Sequence, residues 1–365
     1  MKITIIGGGN IGILMASEMS KLASVYVYSS KYDAWNSHVD VFDNEDNYLF
    51  TSEKIVFVNN LKIAVENADV VFVTYPSYLF DSLSIQLSLY LLPGTYVGII
   101  PGGGGSEFAF SNLVAKGCVL FGLQRVHSIA RIKEYGKSVY MLGRKDSISV
   151  SSIPNNKIKN AKELLERLFN MKCTVLPNYL SITLTPSNPI LHTTRLYSMF
   201  REWTPNVIYP NNILFYESWD DDSSRVLLLC DEEVQYLCNV IPLDLSYVKS
   251  LKEHYGVTDV QTMTEKIKSI NAFKGILSPM KKVSNGFIPD FSSRYFMADF
   301  SFGIKVIKDI AGIFGVETPY INMVWEWYIE TTEKCNIKPK YFETKNYTQN
   351  EFVSYYKDDC DCKFS

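Results

Sequence analysis

Long apolar runs are missing from this 365-residue chain. The longest, such as "ADVVFVTYP", are of strand length and too short to cross a bilayer. An excess of either charge is missing too. The formal net charge is −3, which argues against nucleic acid or an anionic membrane as a partner. The seven cysteines contain no CxxC pair, so zinc and thioredoxin chemistry find little support and no metal is expected. The one close pair, Cys360 and Cys362, falls in the last six residues, where a frayed tail is a plainer reading than a metal site. No low-complexity tract or internal repeat occurs. The opening "MKITIIGGGN" has too brief an apolar run for a signal peptide, and free thiols without one point to the reducing cytoplasm. Histidine is scarce, with four in all, so each must be placed.

What is present is an ordinary globular composition, 47% hydrophobic and 21% charged, over a length that suits two domains. A β-branched strand, Ile3–Ile6, leads into Gly7, Gly9 and Gly12 at G-x-G-x-x-G spacing. A helical pattern follows, with Ile11, Leu14, Met15 and Met19 on one face, and then a second strand, Val25–Tyr28. The motif sits where its mechanism needs it, after a strand and opening a helix. Gly7 permits the turn, Gly9 lets the backbone approach a pyrophosphate, and Gly12 lets helix and strand pack closely. Asn10 and Ile11 lie at the helix start, whose free N–H groups favour phosphate. A dinucleotide site is the expectation. An NAD site usually carries an acid at the end of the second strand. Here that end reads Ser29, Ser30, Lys31, and the first acid is Asp33. Two hydroxyls and a cation suit a 2′-phosphate, which favours NADP over NAD.

Further strands follow. One ends in Thr74-Tyr75-Pro76, placing Pro76 at the ligand edge of the sheet, and another runs into the four glycines 102–105. These glycines, Gly103 and Gly104 at their centre, can bring backbone N–H groups to substrate; a flexible connector is equally open. Residues 118–145 read as a strand, a polar segment and a strand. Near Pro177–Pro189 the alternation stops. The spacing beyond predicts helices in "EEVQYLCNVI", "SYVKSLKEHYG", "TMTEKIKSI", "SFGIKVIKDIAGIFG" and "INMVWEWYIETTEKC". The expected fold is an α/β Rossmann-type doubly wound domain over 1–184 and an all-α domain over 185–365, with a ligand cleft between them.

Two clusters carry chemistry. In "TPSNPILHTTRLY", Asn188 suits an N-cap and Pro189 the first helical position. His192 would then lie in the first turn, where the positive helix end keeps an imidazole neutral and able to accept a proton. Spacing alone leaves a capping or packing histidine open. In "PDFSSRYFMADFSFG", Arg294 can hold a carboxylate or pyrophosphate, and Asp299 can orient an imidazole. A surface ion pair is the bland alternative.

At these clusters the chain resembles the opine dehydrogenase family of octopine/nopaline type, octopine dehydrogenase most of all. "GGGNIG", "ARIKEYGKSVYMLGRK", "NPILHTTRLY" and "AFKGILSPMKKVSNGFIPDFSSRYFMADFSFG" each resemble a family segment, in family order. The resemblance implies a Rossmann domain followed by an all-α domain. It implies reversible condensation of a 2-oxo acid with the amino group of an amino acid, reduced by NAD(P)H to a secondary amine dicarboxylate. It implies His192 as the proton-transfer residue, Asp299 as its orienting partner and Arg294 as a contact to cofactor or keto acid. There are departures: Ala298 stands where the family often has an acid, and "QRVHSIAR" replaces a substrate-contacting segment. Gln124, Arg125 and His127 are therefore candidates to line an altered pocket, and the amine is left open. Monomer and homodimer are both open. A simple 2-keto or 3-hydroxy acid reductase is the rival enzyme, with Lys305 or Lys308 as its catalytic lysine, and a non-catalytic NADP sensor is the rival of another class.

Overall fold

The computed structural model describes residues 1–341 and 347–357. Cys360 and Cys362 lie outside the described residues. The chain divides into two compact units, residues 1–183 with 354 onward, and residues 184–353. The return of the C-terminus to the first unit departs from the expectation that everything after residue 184 belongs to the second. Its cause is long-range: Tyr355 O–H donates to the Glu107 backbone carbonyl at 2.7 Å, and Tyr356 O–H to the Glu107 side chain at 3.0 Å.

The first unit is built on β1 (Lys2–Ile6), β2 (Ser24–Tyr28), β3 (Asp40–Phe42), β4 (Tyr48–Thr51), β5 (Ile55–Val58), β6 (Val70–Val73), β7 (Tyr96–Ile99), β8 (Val119–Leu123), β9 (Ile129–Glu134), β10 (Ser138–Leu142), β11 (Ser147–Ile153) and β12 (Lys172–Val175). The main sheet runs β12-β11-β8-β7-β6-β1-β2-β5 and is parallel except where β11 meets β8. Most of its strands read as continuous apolar runs such as "VVFV" and "VLFGL", as a sheet covered on both faces requires. β1 pairs with β2 on one side and β6 on the other, so the chain's direction of winding switches at the glycine turn. A doubly wound sheet binds ligand at that point.

A second sheet, β4-β3-β10-β9, was not expected from the sequence. Residues 118–145 hold three strands rather than two. β9, "IARIKE", alternates apolar and charged residues in a way that reads as a polar segment until β10 pairs with it. Val41, Ala130 and Val139 of this sheet share one core with Leu14 and Met15 of helix Asn10–Met19.

The second unit is helical: Asn188–Phe200, Asp221–Val240, Leu251–Tyr255, Val260–Ser269, Tyr295–Ile304, Lys305–Ile313 and Pro319–Lys334. The "SYVKSLKEHYG" helix is shorter than expected, because Ser250 caps it by accepting from the Glu253 N–H at 3.1 Å. A hairpin, β13 (Met280–Val283) with β14 (Gly286–Pro289), interrupts the helical pattern. Among the described residues no helix is long and apolar enough to cross a membrane.

Candidate active site

The glycine turn has the space its motif requires. Gly7 takes φ +123°, open only to glycine without strain. A Cβ on Gly12 would run into the Gly7 carbonyl, so helix and strand touch there. A Cβ on Gly9 would meet nothing within 4 Å. No side chain caps helix Asn10–Met19, which leaves its first N–H groups for an anion. Asn10 is committed elsewhere: its side-chain carbonyl accepts from the Ile132 N–H at 2.9 Å and pins β9 to the helix start. Ile11 is half-buried, and Pro76 precedes the short turn Ser77–Leu79 after β6.

Ser29 is buried at the end of β2, and its Oγ accepts from the Lys31 N–H at 3.2 Å. Ser30 and Lys31 are exposed, with Lys31 Nζ 5.4 Å from the Tyr135 ring centre. Sequence reasoning passed over Trp35. Its ring stacks on Phe57 at 5.9 Å, and its Nε1 is buried with no hydrogen-bond partner. That nitrogen lies 3.8 Å from where a Gly8 Cβ would stand. A buried orphan donor costs about 1–3 kcal/mol. Its place beside the glycine turn and Ser29 fits a cofactor acceptor.

The substrate candidates lie at the carboxyl ends of β7 and β8. The Gly102 N–H donates to Leu123 O at 2.8 Å, and the Gln124 N–H to Ser149 O at 2.9 Å. Ser106 Oγ joins the Gly102 carbonyl and the Tyr179 hydroxyl, so the glycine run is anchored rather than a loose connector. Gly103 has open space at its Cβ position. Gly104, Gln124 and Arg125 are half-buried, and the Arg125 charge helps lower Lys145 to about 8, after burial. His127 does not line a pocket. It is fully buried, and its Nε2 meets Glu18 at 2.7 Å.

In the second unit, His192 and Asp299 come together. His192 Nδ1 lies 2.8 Å from Asp299 Oδ2, and both residues are buried. Close helix packing makes this possible: a Cβ on Gly303 would stand 2.7 Å from Pro189 Cβ. Asp299 sits in a stretch wound as π-helix, Tyr295–Ile304, where the Lys305 N–H bonds to the Phe300 carbonyl. Such windings recur at functional sites. The carboxylate fixes the tautomer, with Nδ1–H donating and Nε2 left as acceptor.

Nε2 is met at 2.9 Å by the hydroxyl of Tyr216, a residue that no motif or spacing singles out. Burial pushes the Tyr216 phenol well above its usual range, so it keeps its proton and donates. Burial also lowers the His192 pKa, helped by the Arg294 charge and opposed by Asp299. The neutral imidazole is thus explained, but by a different cause. The helix begins at Asn188 with Ser187 as its N-cap, so Asn188 does not cap and His192 falls in the second turn. The terminal dipole weakens beyond the first turn, and desolvation does the work. Arg294 is exposed at the N-cap of the π-helical stretch, its guanidinium 5.2 Å from the Tyr295 ring centre.

Neighbours of His192 have structural tasks. Thr194 Oγ1 donates back to Ile190 O at 2.7 Å, and Thr193 likewise to Pro189 O. Arg195 is buried and donates to Phe215 O, Ser218 O and Ser223 Oγ, bracketing the segment that carries Tyr216. Lys305 pairs with Asp309 at 2.5 Å, and Lys308 donates to Asn322, so both ammonium groups are engaged.

Residues 175–332 match the family model described as NAD/NADP octopine/nopaline dehydrogenase, alpha-helical domain. The chain is 25% identical to a tauropine dehydrogenase of Arabella iricolor, covering 89% of this chain and 90% of the relative. It is 24% identical to an octopine dehydrogenase of Pecten maximus, covering 92% and 91%. A solved octopine dehydrogenase described with NADH and L-arginine superposes with a TM-score of 0.77 at 24% identity, over 92% of this chain and 90% of that one. Over most of its length the chain is similar to opine dehydrogenases, and it shares the fold of octopine dehydrogenase.

Proposed function

We propose that this protein is a cytoplasmic opine dehydrogenase. It condenses a pyruvate-like 2-oxo acid with the amino group of an amino acid, reversibly, in the reducing direction with NADPH in preference to NADH. The observation that carries the reading is the buried His192–Asp299 pair, neutral and with a defined acceptor nitrogen. When bound, the nicotinamide supplies the hydride. His192 exchanges the proton that must accompany it, and Asp299 holds the imidazole and stabilises the imidazolium. Arg294 binds the 2-oxo acid carboxylate or the cofactor. Gly103, Gly104, Gln124 and Arg125 line the substrate side, and the chain works as a monomer or homodimer.

Ser29, Ser30 and Lys31, together with the unpartnered Trp35 N–H, support NADPH, because a 2′-phosphate accepts from every one of them. The relatives are named for different opines, tauropine and octopine, so the amine is left to experiment. Enzyme is incubated with NADPH or NADH, pyruvate and pooled amino acids, following absorbance loss and product mass. Amine-dependent oxidation of the cofactor is expected, and its absence with every common 2-oxo acid refutes the proposal. Turnover without amine would favour the keto-acid reductase, which the engaged Lys305 and Lys308 do not support. Lys31→Glu should reduce the NADPH-over-NADH binding preference about tenfold; an unchanged ratio removes the 2′-phosphate argument.

A further inference from the structure

His192 has two ring nitrogens, and neither is open. Nδ1 is spent on Asp299, so any proton that His192 exchanges passes through Nε2. Nε2 is covered by the Tyr216 hydroxyl at 2.9 Å. The Tyr216 ring cannot easily swing aside. It stacks on Phe273 at 4.1 Å and lies against Phe215 at 4.8 Å, and Arg195 ties down the carbonyls of Phe215 and Ser218 on either side.

We propose that Tyr216 is a catalytic residue, a proton relay between His192 Nε2 and the reacting nitrogen or oxygen of the substrate. The inference rests on the reading of His192 as acid and base. In the oxidising direction the substrate N–H bond breaks and its proton joins Tyr216 Oη. The Tyr216 O–H bond breaks at the same time, and that proton joins Nε2, giving an imidazolium held by Asp299. In the reducing direction both transfers reverse: Nε2 returns its proton to Tyr216 Oη, and the Tyr216 proton joins the imine nitrogen as the adjacent carbon takes up the hydride that the nicotinamide supplies when bound. No net charge rests on the phenol in either direction. This suits a buried hydroxyl whose other charged and titratable neighbours are Asp299, Arg294, Tyr295 and Tyr255.

Tyr216→Phe keeps the ring and removes only the relay atom. With NADPH, pyruvate and the amine found in the pooled screen, kcat/KM should fall about 100-fold with melting unchanged. The hydroxyl donates to the neutral imidazole, so its loss should raise the His192 pKa. That shift is read as movement of the pH profile to higher pH and, without substrate, by ring-nitrogen NMR. If Tyr216→Phe stays within about threefold of wild type while His192→Gln is inactive, the relay fails and the role of His192 stands. If both variants retain turnover, the reading of His192 fails and takes the relay with it. If Tyr216→Phe does not fold, wild type in mixed light and heavy water decides. Two protons moving together give a curved dependence of kcat/KM on deuterium fraction, and a straight line overturns the relay.

Discussion

Two histidines, one in each unit, are buried and held by a carboxylate at nearly the same distance: His127 with Glu18 at 2.7 Å, His192 with Asp299 at 2.8 Å. The surroundings separate them. Glu18 is shared with Arg144, whose other arm donates to Phe169 O, and the His127 ring lies 4.4 Å from Phe169. His127 Nδ1 is buried without a partner. This is a strut joining helix Asn10–Met19 to the segments around β8 and helix Ile158–Phe169, with no route for a proton. Asp299 serves His192, and the second nitrogen of His192 meets a hydroxyl. A buried imidazole–carboxylate pair is therefore not by itself a catalytic sign. The partner of the remaining nitrogen decides.

The largest expected effect tests that rule directly. His192→Gln keeps an amide donor for Asp299 but has no group that can take up a proton. Turnover should fall about 10³-fold while thermal unfolding stays close to wild type. Steady-state rates beside a melting curve check this, and preserved turnover would move the catalytic assignment elsewhere. The pH profile adds a second reading. The lowered His192 pKa favours the neutral acceptor, so activity in the oxidising direction should fall only at a pH below the ordinary histidine range.

These contrasts also mark what the sequence could say. The cofactor loop is legible because its chemistry is backbone chemistry, and glycine spacing records where a side chain cannot stand. His192 and Asp299 lie 107 residues apart, and no periodicity links them; resemblance to a family did. Tyr216 had no signal beyond sitting in the aromatic run "ILFYESW" just ahead of the helix cap Asp220. The burial of His127 against Glu18 and Phe169 is a tertiary contact, and a polar stretch between strands carries no sign of it in the sequence. Trp35 was missed because an indole's unpaired N–H exists only once its ring is buried.

The next effect separates the pH dependence of stability from that of turnover. Glu107, in the first unit with His127, is fully buried and raised to about 7 by desolvation, which Thr183 and Tyr356 only partly oppose. A carboxyl with a raised folded pKa binds more protons folded than unfolded. Its contribution is complete below about 4.5, the ordinary value, and is lost as pH rises toward 7. Wild type should lose roughly 3 kcal/mol between those limits from this group alone. Glu107→Gln should flatten that part of the stability curve and leave the pH profile of turnover in place. Denaturant titrations at several pH values check it, and an unchanged slope in the variant would show that Glu107 is not the group titrating.

The smallest effect falls on the strut, and it bears hardest on the comparison. His127→Leu roughly conserves volume, removes the orphaned Nδ1 and leaves Glu18 with Arg144. Loss of the Nε2 hydrogen bond costs about 1–2 kcal/mol, partly offset by burying an apolar side chain where a polar one stood. Unfolding in denaturant should show a modest fall in stability, and kcat per folded molecule should match wild type. The reverse pattern, intact stability with turnover reduced tenfold or more, would make His127 part of the working site. The same carboxylate geometry would then mean the same chemistry in both units, and the partner of the second nitrogen would no longer tell them apart.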